Sequence, residues 1–161
     1  MSATSRTPLD YALAYARRGW RVFPLHEIYN GDCSCGRDAC ASAGKHPRTK
    51  NGVKEATTDE AQIRAWWSYW PTANIGIATG IAQGATSGLF VIDVDTHKGA
   101  TLADLEGCDL SVLLTSLTAR TGNGGYHFYL STDERLSNTC DHLARFVDTR
   151  GEGGYVVAPP S

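Results

Sequence analysis

The chain opens with a hydrophobic pattern of helical period. Thr7 is a suitable N-terminal cap, Pro8 occupies the first helical position, and Gly19 ends the segment. The apolar residues that fall on one face of this predicted helix are Leu9, Leu13 and Ala16. The pattern therefore predicts a first amphipathic helix close to the N-terminus.

A second helix is predicted over residues 57–70. Thr57 and Glu60 have the spacing of a capping box, and Pro71 stops the helix. Its broad apolar stripe consists of Ile63, Trp66, Trp67 and Trp70. Tryptophans can stack on nucleic-acid bases, but a stripe at helical spacing indicates packing against a core.

The remaining pattern is mostly that of strands. Predicted strands cover residues 20–25, 74–80, 88–95, 116–121 and 126–131, with two more within 145–160 around a glycine turn. Residues 122–125, Gly-Asn-Gly-Gly, join two of these strands as a hairpin, and a short helix is expected over 100–105. Helices come first and strands dominate later, so the predicted class is α+β.

Length and composition narrow the class of protein. The 161 residues, 42% of them hydrophobic and 20% charged, suit one globular domain over 1–161. The sequence has neither a membrane-spanning apolar stretch nor a signal-peptide core, which predicts a cytoplasmic protein. A net charge of −2 excludes a uniformly basic coat for nucleic acid but leaves room for the local group of cations over 37–54.

Two carboxylates end the most hydrophobic strand. Residues 88–92 are Gly-Leu-Phe-Val-Ile, and Asp93 and Asp95 follow with one valine between them. Side chains at i and i+2 of a strand share a face, so these acids would repel each other unless a cation lay between them. Oxygen ligands favour Mg²⁺ or Mn²⁺, whereas two solvated surface acids are the simpler alternative.

Two later stretches carry further candidate chemistry. Gly124 and Gly125 allow backbone N–H groups to turn towards a phosphate, and His127 follows on the strand that leaves this turn. Asp148 ends a second apolar strand and is followed closely by Arg150. Three carboxylates would suffice for a two-metal phosphoryl- or nucleotidyl-transfer site.

The loop over about 30–47 is rich in cysteine. Of the five cysteines, Cys33, Cys35 and Cys40 crowd together before His46, and three sulfurs with one nitrogen make a closed, structural zinc set. Zinc would fold a segment that has few apolar residues of its own. His26 is the alternative fourth ligand, and Cys108 and Cys140, which stand alone, are expected to be buried or incidental.

Taken in order, the motifs at 92–95, 121–127 and 147–161 resemble the bifunctional primase-polymerase (Prim-Pol) domain of the archaeo-eukaryotic primase superfamily, as found in phage and plasmid replication proteins. The segments Gly-Trp-Arg-Val-Phe-Pro-Leu (19–25), Gly-Lys-His-Pro (44–47) and Asn-Ile-Gly-Ile-Ala-Thr-Gly (74–80) also look like the N-terminal half of this family. The resemblance implies an N-terminal α/β module packed on an RRM-like antiparallel or mixed sheet, with a zinc-binding loop.

The resemblance also implies roles for single residues. Asp93, Asp95 and Asp148 would bind the catalytic Mg²⁺ or Mn²⁺, and His127 would contact the phosphates of the incoming nucleotide. Further nucleotide contacts would come from Arg150, Gly124, Gly125 and Lys45. The activity implied is template-directed addition of nucleotides from NTP or dNTP to a DNA primer, without a side-chain nucleophile.

The resemblance carries expectations about the setting as well. The chain is expected to be the N-terminal piece of a longer replication protein with a linked helicase or accessory region, in the cytosol of a bacterial host. Two other functions remain alternatives. One is a metal-dependent nucleotide-sugar transferase that uses Asp-x-Asp; the other is a non-catalytic, zinc-containing nucleic-acid-binding module.

Overall fold

The computed structural model describes residues 6–105 and 109–161. It divides the chain into two compact units, one built from the chain up to Ala78 together with Tyr155–Ser161, the other from Thr79–Gly154. The helices and strands are, in chain order, α1 (Pro8–Arg17), β1 (Val22–Leu25), β2 (Ile28–Tyr29), β3 (Asp32–Cys33), α2 (Glu60–Tyr69), β4 (Asn74–Ala78), β5 (Gly88–Val94), α3 (Leu110–Thr115), β6 (Leu117–Arg120), β7 (Tyr126–Thr132), β8 (Thr139–Ala144), β9 (Val147–Arg150) and β10 (Tyr155–Ala158). Short 3₁₀ helices cover Gly52–Glu55, Thr96–Lys98 and Leu102–Leu105.

The first unit has an antiparallel sheet with strand order β1-β4-β10, and β2 and β3 form a separate two-stranded hairpin. Its core lies between this sheet and the two helices. The large side chains that are fully buried there are Phe23, Leu25, Ile63, Ile75 and Ile77. This unit contains the predicted first and second helices, α1 and α2.

Helix α1 begins as predicted. The Thr7 hydroxyl accepts from the backbone N–H of Asp10, and the Asp10 carboxylate accepts in return from the backbone N–H of Thr7. These two bonds satisfy donors that a helix N-terminus leaves free. The helix ends before Gly19, which has φ +81°, so the predicted stop is confirmed.

The predicted start of α2 is wrong. Thr57 bridges to Val22 of β1, and the cap is Asp59, whose carboxylate accepts from the N–H of Ala61 at 2.9 Å. Tertiary pairing with β1 therefore overrides the local capping-box signal. Ile63 and Trp67 are buried, which confirms core packing for that part of the apolar stripe.

The second unit is built on a five-stranded antiparallel sheet of order β6-β7-β5-β9-β8. Its hydrophobic core covers one face of that sheet and consists of Ile92, Val94, Ala100, Leu105, Leu113, Phe128 and Val147. The α+β class is confirmed, and β5 stands at the centre of the sheet. The family's RRM-like arrangement and the single domain over 1–161 stay predictions.

Some elements of the second unit differ from the sequence pattern. The helix expected over 100–105 is only a 3₁₀ turn over Leu102–Leu105, and neither α3 nor β8 was predicted. Cys108 lies outside the described residues. Within the two stretches that the structure describes, no helix combines the length and apolarity that crossing a membrane requires.

Candidate active site and metal centre

Three of the predicted site residues form one row across the sheet. Asp93 of β5 pairs directly with His127 of β7 on one side and with Asp148 of β9 on the other. Because side chains alternate along a strand, these three lie on the face opposite the core residues Ile92 and Val94. The alternation along the strands therefore places the two carboxylates and the imidazole together on that face.

Asp93 is surrounded by positive or protonatable groups. Its Oδ1 lies 3.4 Å from Nε2 of His127, and its Oδ2 lies 3.7 Å from Nη2 of Arg150. Burial opposes the charge of Asp93, but His127, Arg150 and Lys98 together hold the pKa of its carboxyl below the ordinary value. Asp93 is therefore an anion at neutral pH, the form that ligates a cation.

Asp148 is held from two sides. Its Oδ2 lies 2.9 Å from Nη2 of Arg150, and its Oδ1 accepts from the backbone N–H of Asp141 at 3.4 Å. The same guanidinium thus reaches both Asp93 and Asp148. In this arrangement Arg150 serves as an internal counter-ion between two of the acids.

Asp95 lies one residue beyond the end of β5. Its backbone N–H donates to the carbonyl of Phe146 at 3.0 Å, which ties it to the turn between β8 and β9. Its carboxylate lies 2.6 Å from Nζ of Lys98 and 3.7 Å from Nδ1 of His97. The sequence pattern left Lys98 without a role, although its i+3 position from Asp95 in a tight turn is a usable signal.

The glycine hairpin forms as predicted between β6 and β7. The N–H of Gly124 donates to Thr121 at 2.9 Å, and the carbonyl of Gly125 accepts from the N–H of Thr121 at 2.9 Å. Because the N–H of Gly124 is already used inside the turn, it is not free for a phosphate in this conformation. Nucleotide contacts by Gly124 and Gly125 stay a prediction.

Gly125 has a different structural importance. A Cβ there would lie 2.3 Å from the carbonyl oxygen of Val94, the residue between Asp93 and Asp95. Only glycine permits this approach of the two backbones. The hairpin therefore packs directly against the strand end that carries the acids.

The cysteine loop brings four potential metal ligands together in the first unit. One ligand atom from each of Cys33, Cys35, Cys40 and His46 lies within 4.8 Å of the others. Sγ of Cys33 is 3.4 Å from Nε2 of His46. Three sulfurs and one imidazole nitrogen match the donor set of a closed zinc site, so the residues fit the metal.

The electrostatics of the cluster also suit a cation. Although burial opposes the charge of Cys33, backbone N–H groups of Cys35 and Gly44 and the side chains of Cys35 and His46 lower the pKa of its thiol to about 6. The thiolate is the form that binds metal. A backbone hydrogen bond from Ser42 lowers the pKa of Cys40, but burial, hydrogen bonds with Cys35 and Cys33 and the charge of Cys33 outweigh it, so the pKa of Cys40 is raised.

His26 has other contacts. Its Nδ1 lies 2.9 Å from the hydroxyl of Ser34, and it is not among the four converging residues. The structure therefore favours His46 as the fourth donor. Cys140 is exposed on β8 of the other unit. Lys45 is exposed as well, and its contact with a nucleotide stays a prediction.

A charged network that the sequence pattern did not indicate supports the cysteine loop. Arg48 pairs with Glu27 at 2.7 Å, and both side chains are largely buried. Arg48 also donates to the hydroxyl of Ser34 at 2.8 Å, between two of the cysteines. Despite desolvation, Arg48 keeps the pKa of Glu27 below its ordinary value. Local spacing gives no signal for such a pair, because its members are far apart in sequence.

Comparison with curated proteins by sequence gives no match. The profile of one protein family, described as "Bifunctional DNA primase/polymerase, N-terminal" and abbreviated Prim-Pol, matches residues 12–161. This range covers nearly the whole chain, including the row formed by His127, Asp93 and Asp148, the glycine hairpin and the cysteine loop. The match confirms the resemblance seen in the motifs and implies a primase/polymerase type of nucleotidyltransferase activity in replication. The chain belongs to the Prim-Pol family.

Proposed function

We propose that this chain is a template-directed nucleotidyltransferase domain that adds nucleotides from NTP or dNTP by two-metal catalysis during phage or plasmid DNA replication. The observation that carries the proposal is the row His127–Asp93–Asp148 across the centre of the sheet. With Asp95 at the end of the same strand, three carboxylates and an imidazole lie within one small region of the second unit.

The donor chemistry of this region fits Mg²⁺ or Mn²⁺. The three carboxylates offer only oxygen ligands, and their side chains are 16% (Asp93), 21% (Asp95) and 20% (Asp148) exposed, so they are accessible without being fully solvated. Arg150 and Lys98 now neutralise them. Because the clustered negative charge of these carboxylates attracts two side-chain cations, the same charge would also stabilise divalent metal ions.

Each residue then has a defined task. Asp93, Asp95 and Asp148 would hold the metals, and His127 and Arg150 would bind and orient the triphosphate. When bound, the metals would lower the pKa of the primer 3′-hydroxyl and stabilise charge on the attacking and leaving oxygens. That hydroxyl attacks the α-phosphorus of the nucleotide, and pyrophosphate leaves. Positioning of the reactants therefore falls to the rigid central strands.

The cysteine cluster would hold a structural zinc. Four protein ligands leave no open position for substrate, which is the mark of a structural site. Cys33 lies on the short β3 strand near the start of the loop and His46 lies near its end, so the metal would close this segment into one folded piece. DNA template and primer and nucleoside triphosphates are the proposed partners, and the host cytosol the proposed location.

The direct test is incorporation of dNTP on a primed template with Mn²⁺. Wild type is expected to extend the primer, and Asp93→Ala and Asp95→Ala to fall to about one-hundredth or less, since the metals supply several kcal/mol of charge stabilisation. Asp133→Ala, at an exposed acid beyond β7, is the matched control and should retain activity. Binding of template without any incorporation by wild type would favour the non-catalytic alternative instead.

A further inference from the structure

We infer that Asp141 is a positioning residue that fixes both Asp95 and Asp148 through hydrogen bonds of the β8–β9 hairpin. The inference deepens the proposed function and rests on the metal role proposed for those two acids. It starts from an irregularity of β8. In the β8–β9 ladder Thr139 pairs with Thr149 and Ala144 pairs with Val147, so residues 140–143 lie opposite Asp148 alone.

This bulge brings the backbone of Asp141 to Asp148. The N–H of Asp141 donates to Oδ1 of Asp148 at 3.4 Å, while Oδ2 of the same carboxylate contacts Arg150 at 2.9 Å. Two directions of approach therefore fix the orientation of the Asp148 carboxylate. Bulges beside an active site commonly re-aim a side chain in this way.

The side chain of Asp141 reaches the other acid indirectly. Its Oδ1 accepts a hydrogen bond from the backbone N–H of Phe146. The carbonyl of Phe146 in turn accepts from the backbone N–H of Asp95 at 3.0 Å. The chain of contacts Asp141–Phe146–Asp95 thus joins the bulge to the residue that follows β5.

The backbone of the hairpin shows why the carboxylate is needed. Asp141 has φ +53° and Phe146 has φ +62°, and they are the two non-glycine residues with positive φ in the described part of the second unit. Aspartate tolerates this conformation, but a bulky aromatic residue adopts it only when its surroundings hold it there. The Phe146 ring packs against the core and under the guanidinium of Arg145, while Asp141 holds its N–H.

Three variants separate the hydrogen bond from backbone strain and from charge. Asp141→Gly keeps the left-handed conformation accessible but removes the carboxylate. Asp141→Asn keeps an acceptor oxygen and a residue that tolerates positive φ, but loses the charge. Asp133→Gly makes the same replacement at an exposed acid of the same unit and serves as the matched control.

The test measures the hydrogen bond of the Asp95 amide first and the Mn²⁺ dependence of nucleotide incorporation second. NMR hydrogen exchange of the Asp95 amide in the full chain should be about tenfold or more faster in Asp141→Gly, because its acceptor at Phe146 is released. The Mn²⁺ concentration for half-maximal incorporation should rise about tenfold, the lower end of the effects seen when second-layer partners of metal ligands are removed. Asp141→Asn and Asp133→Gly should stay close to wild type in both measurements.

The outcomes separate this inference from the proposed function. Unchanged exchange of the Asp95 amide in Asp141→Gly overturns the inference, whatever the activity. Equal impairment of Mn²⁺ dependence in the Asn and Gly variants also overturns it, since charge rather than the hydrogen bond would then matter. Faster exchange in Asp141→Gly, in a protein whose wild type shows no Mn²⁺-dependent incorporation, supports the hydrogen-bond relay and rejects the proposed function.

Discussion

Replacing Gly125 with alanine would test how tightly the glycine hairpin fixes the acid-bearing end of β5. The new Cβ would lie 2.3 Å from the carbonyl oxygen of Val94, whereas ordinary contacts begin at 3.4 Å. One of the two backbones must therefore move by about 1 Å, because close-packed interiors leave no slack. Since Val94 lies between Asp93 and Asp95, the movement displaces the proposed metal ligands.

The magnitude follows from that displacement. A misplacement of about 1 Å at a reacting centre costs on the order of 10²-fold in rate. Overpacking of this kind also costs about 1–3 kcal/mol of folding stability. We therefore expect Gly125→Ala to remain folded with a lowered unfolding midpoint and to extend a primer about a hundredfold more slowly than wild type.

The assay is Mn²⁺-dependent incorporation on a primed template, run well below the unfolding midpoint of each variant as measured by circular dichroism. Gly122→Ala in the same hairpin is the matched control, because a Cβ there meets no atom within 4 Å and the residue is exposed. It should stay within about twofold of wild type, as surface replacements usually do. Equal incorporation by the two folded variants would refute the reasoning.

Three further predictions concern the two metal regions and the charged network. Metal analysis should find stoichiometric zinc in wild type and in Cys140→Ser but not in Cys33→Ser, whose unfolding midpoint should fall; zinc retained by Cys33→Ser would contradict the cluster. Lys98→Gln should lower the Mn²⁺ concentration for half-maximal incorporation about two- to fivefold, because Lys98 competes with the metal for Asp95 and an exposed ion pair contributes only up to about 1 kcal/mol. An increase in that Mn²⁺ concentration would contradict this competition. Glu27→Gln should lose about 1–3 kcal/mol of unfolding free energy in urea at pH 7. Because the pKa of Glu27 is lowered in the folded protein, its ionised carboxylate stabilises the fold at pH values above the ordinary glutamate pKa, and this stabilisation is lost as the pH falls through the lowered pKa. The difference in unfolding free energy between wild type and Glu27→Gln should therefore narrow below about pH 4. A difference that does not depend on pH would argue against the ion pair.

Two side-chain cations neutralise the three carboxylates of the proposed catalytic metal site. Arg150 contacts Asp93 and Asp148, and Lys98 contacts Asp95, so each carboxylate has a cationic partner. Under the proposed function, a metal would displace these cations and leave them free for an anionic triphosphate. Binding of metal and nucleotide would then favour each other, as linkage requires.

Local pattern was sufficient for much of the second unit. The alternation along residues 88–95 placed Asp93 on the face opposite Ile92 and Val94, and glycines marked the β6–β7 hairpin. Alternation is a property of the backbone itself, so it survives without knowledge of the neighbours. It failed for β8, where four of six residues are exposed and a bulge breaks the ladder.

Long-range pairing could not be read in this way. β4 and β5 follow each other and are similarly apolar, yet they belong to different sheets, and β4 pairs instead with β10 near the end of the chain. The capping signal at Thr57 was overruled by its bridge to Val22 for the same reason. Strand neighbours depend on contacts between distant segments, which local spacing does not encode.

The sequence by itself determined the residue types of both candidate metal sites: carboxylates in or just after apolar strands, a histidine after a glycine turn, and three cysteines before a histidine. The prediction that Asp148 ends its strand is wrong, because β9 continues to Arg150. Only the tertiary structure decided that Asp93 lies between His127 and Asp148, that His46 rather than His26 completes the cysteine cluster, and that Arg150 reaches two of the acids. The physical reason is the separation along the chain over which each effect acts. Strand alternation and turn chemistry act over a few residues, whereas register between strands and the placement of counter-ions are settled only when distant parts of the chain pack together.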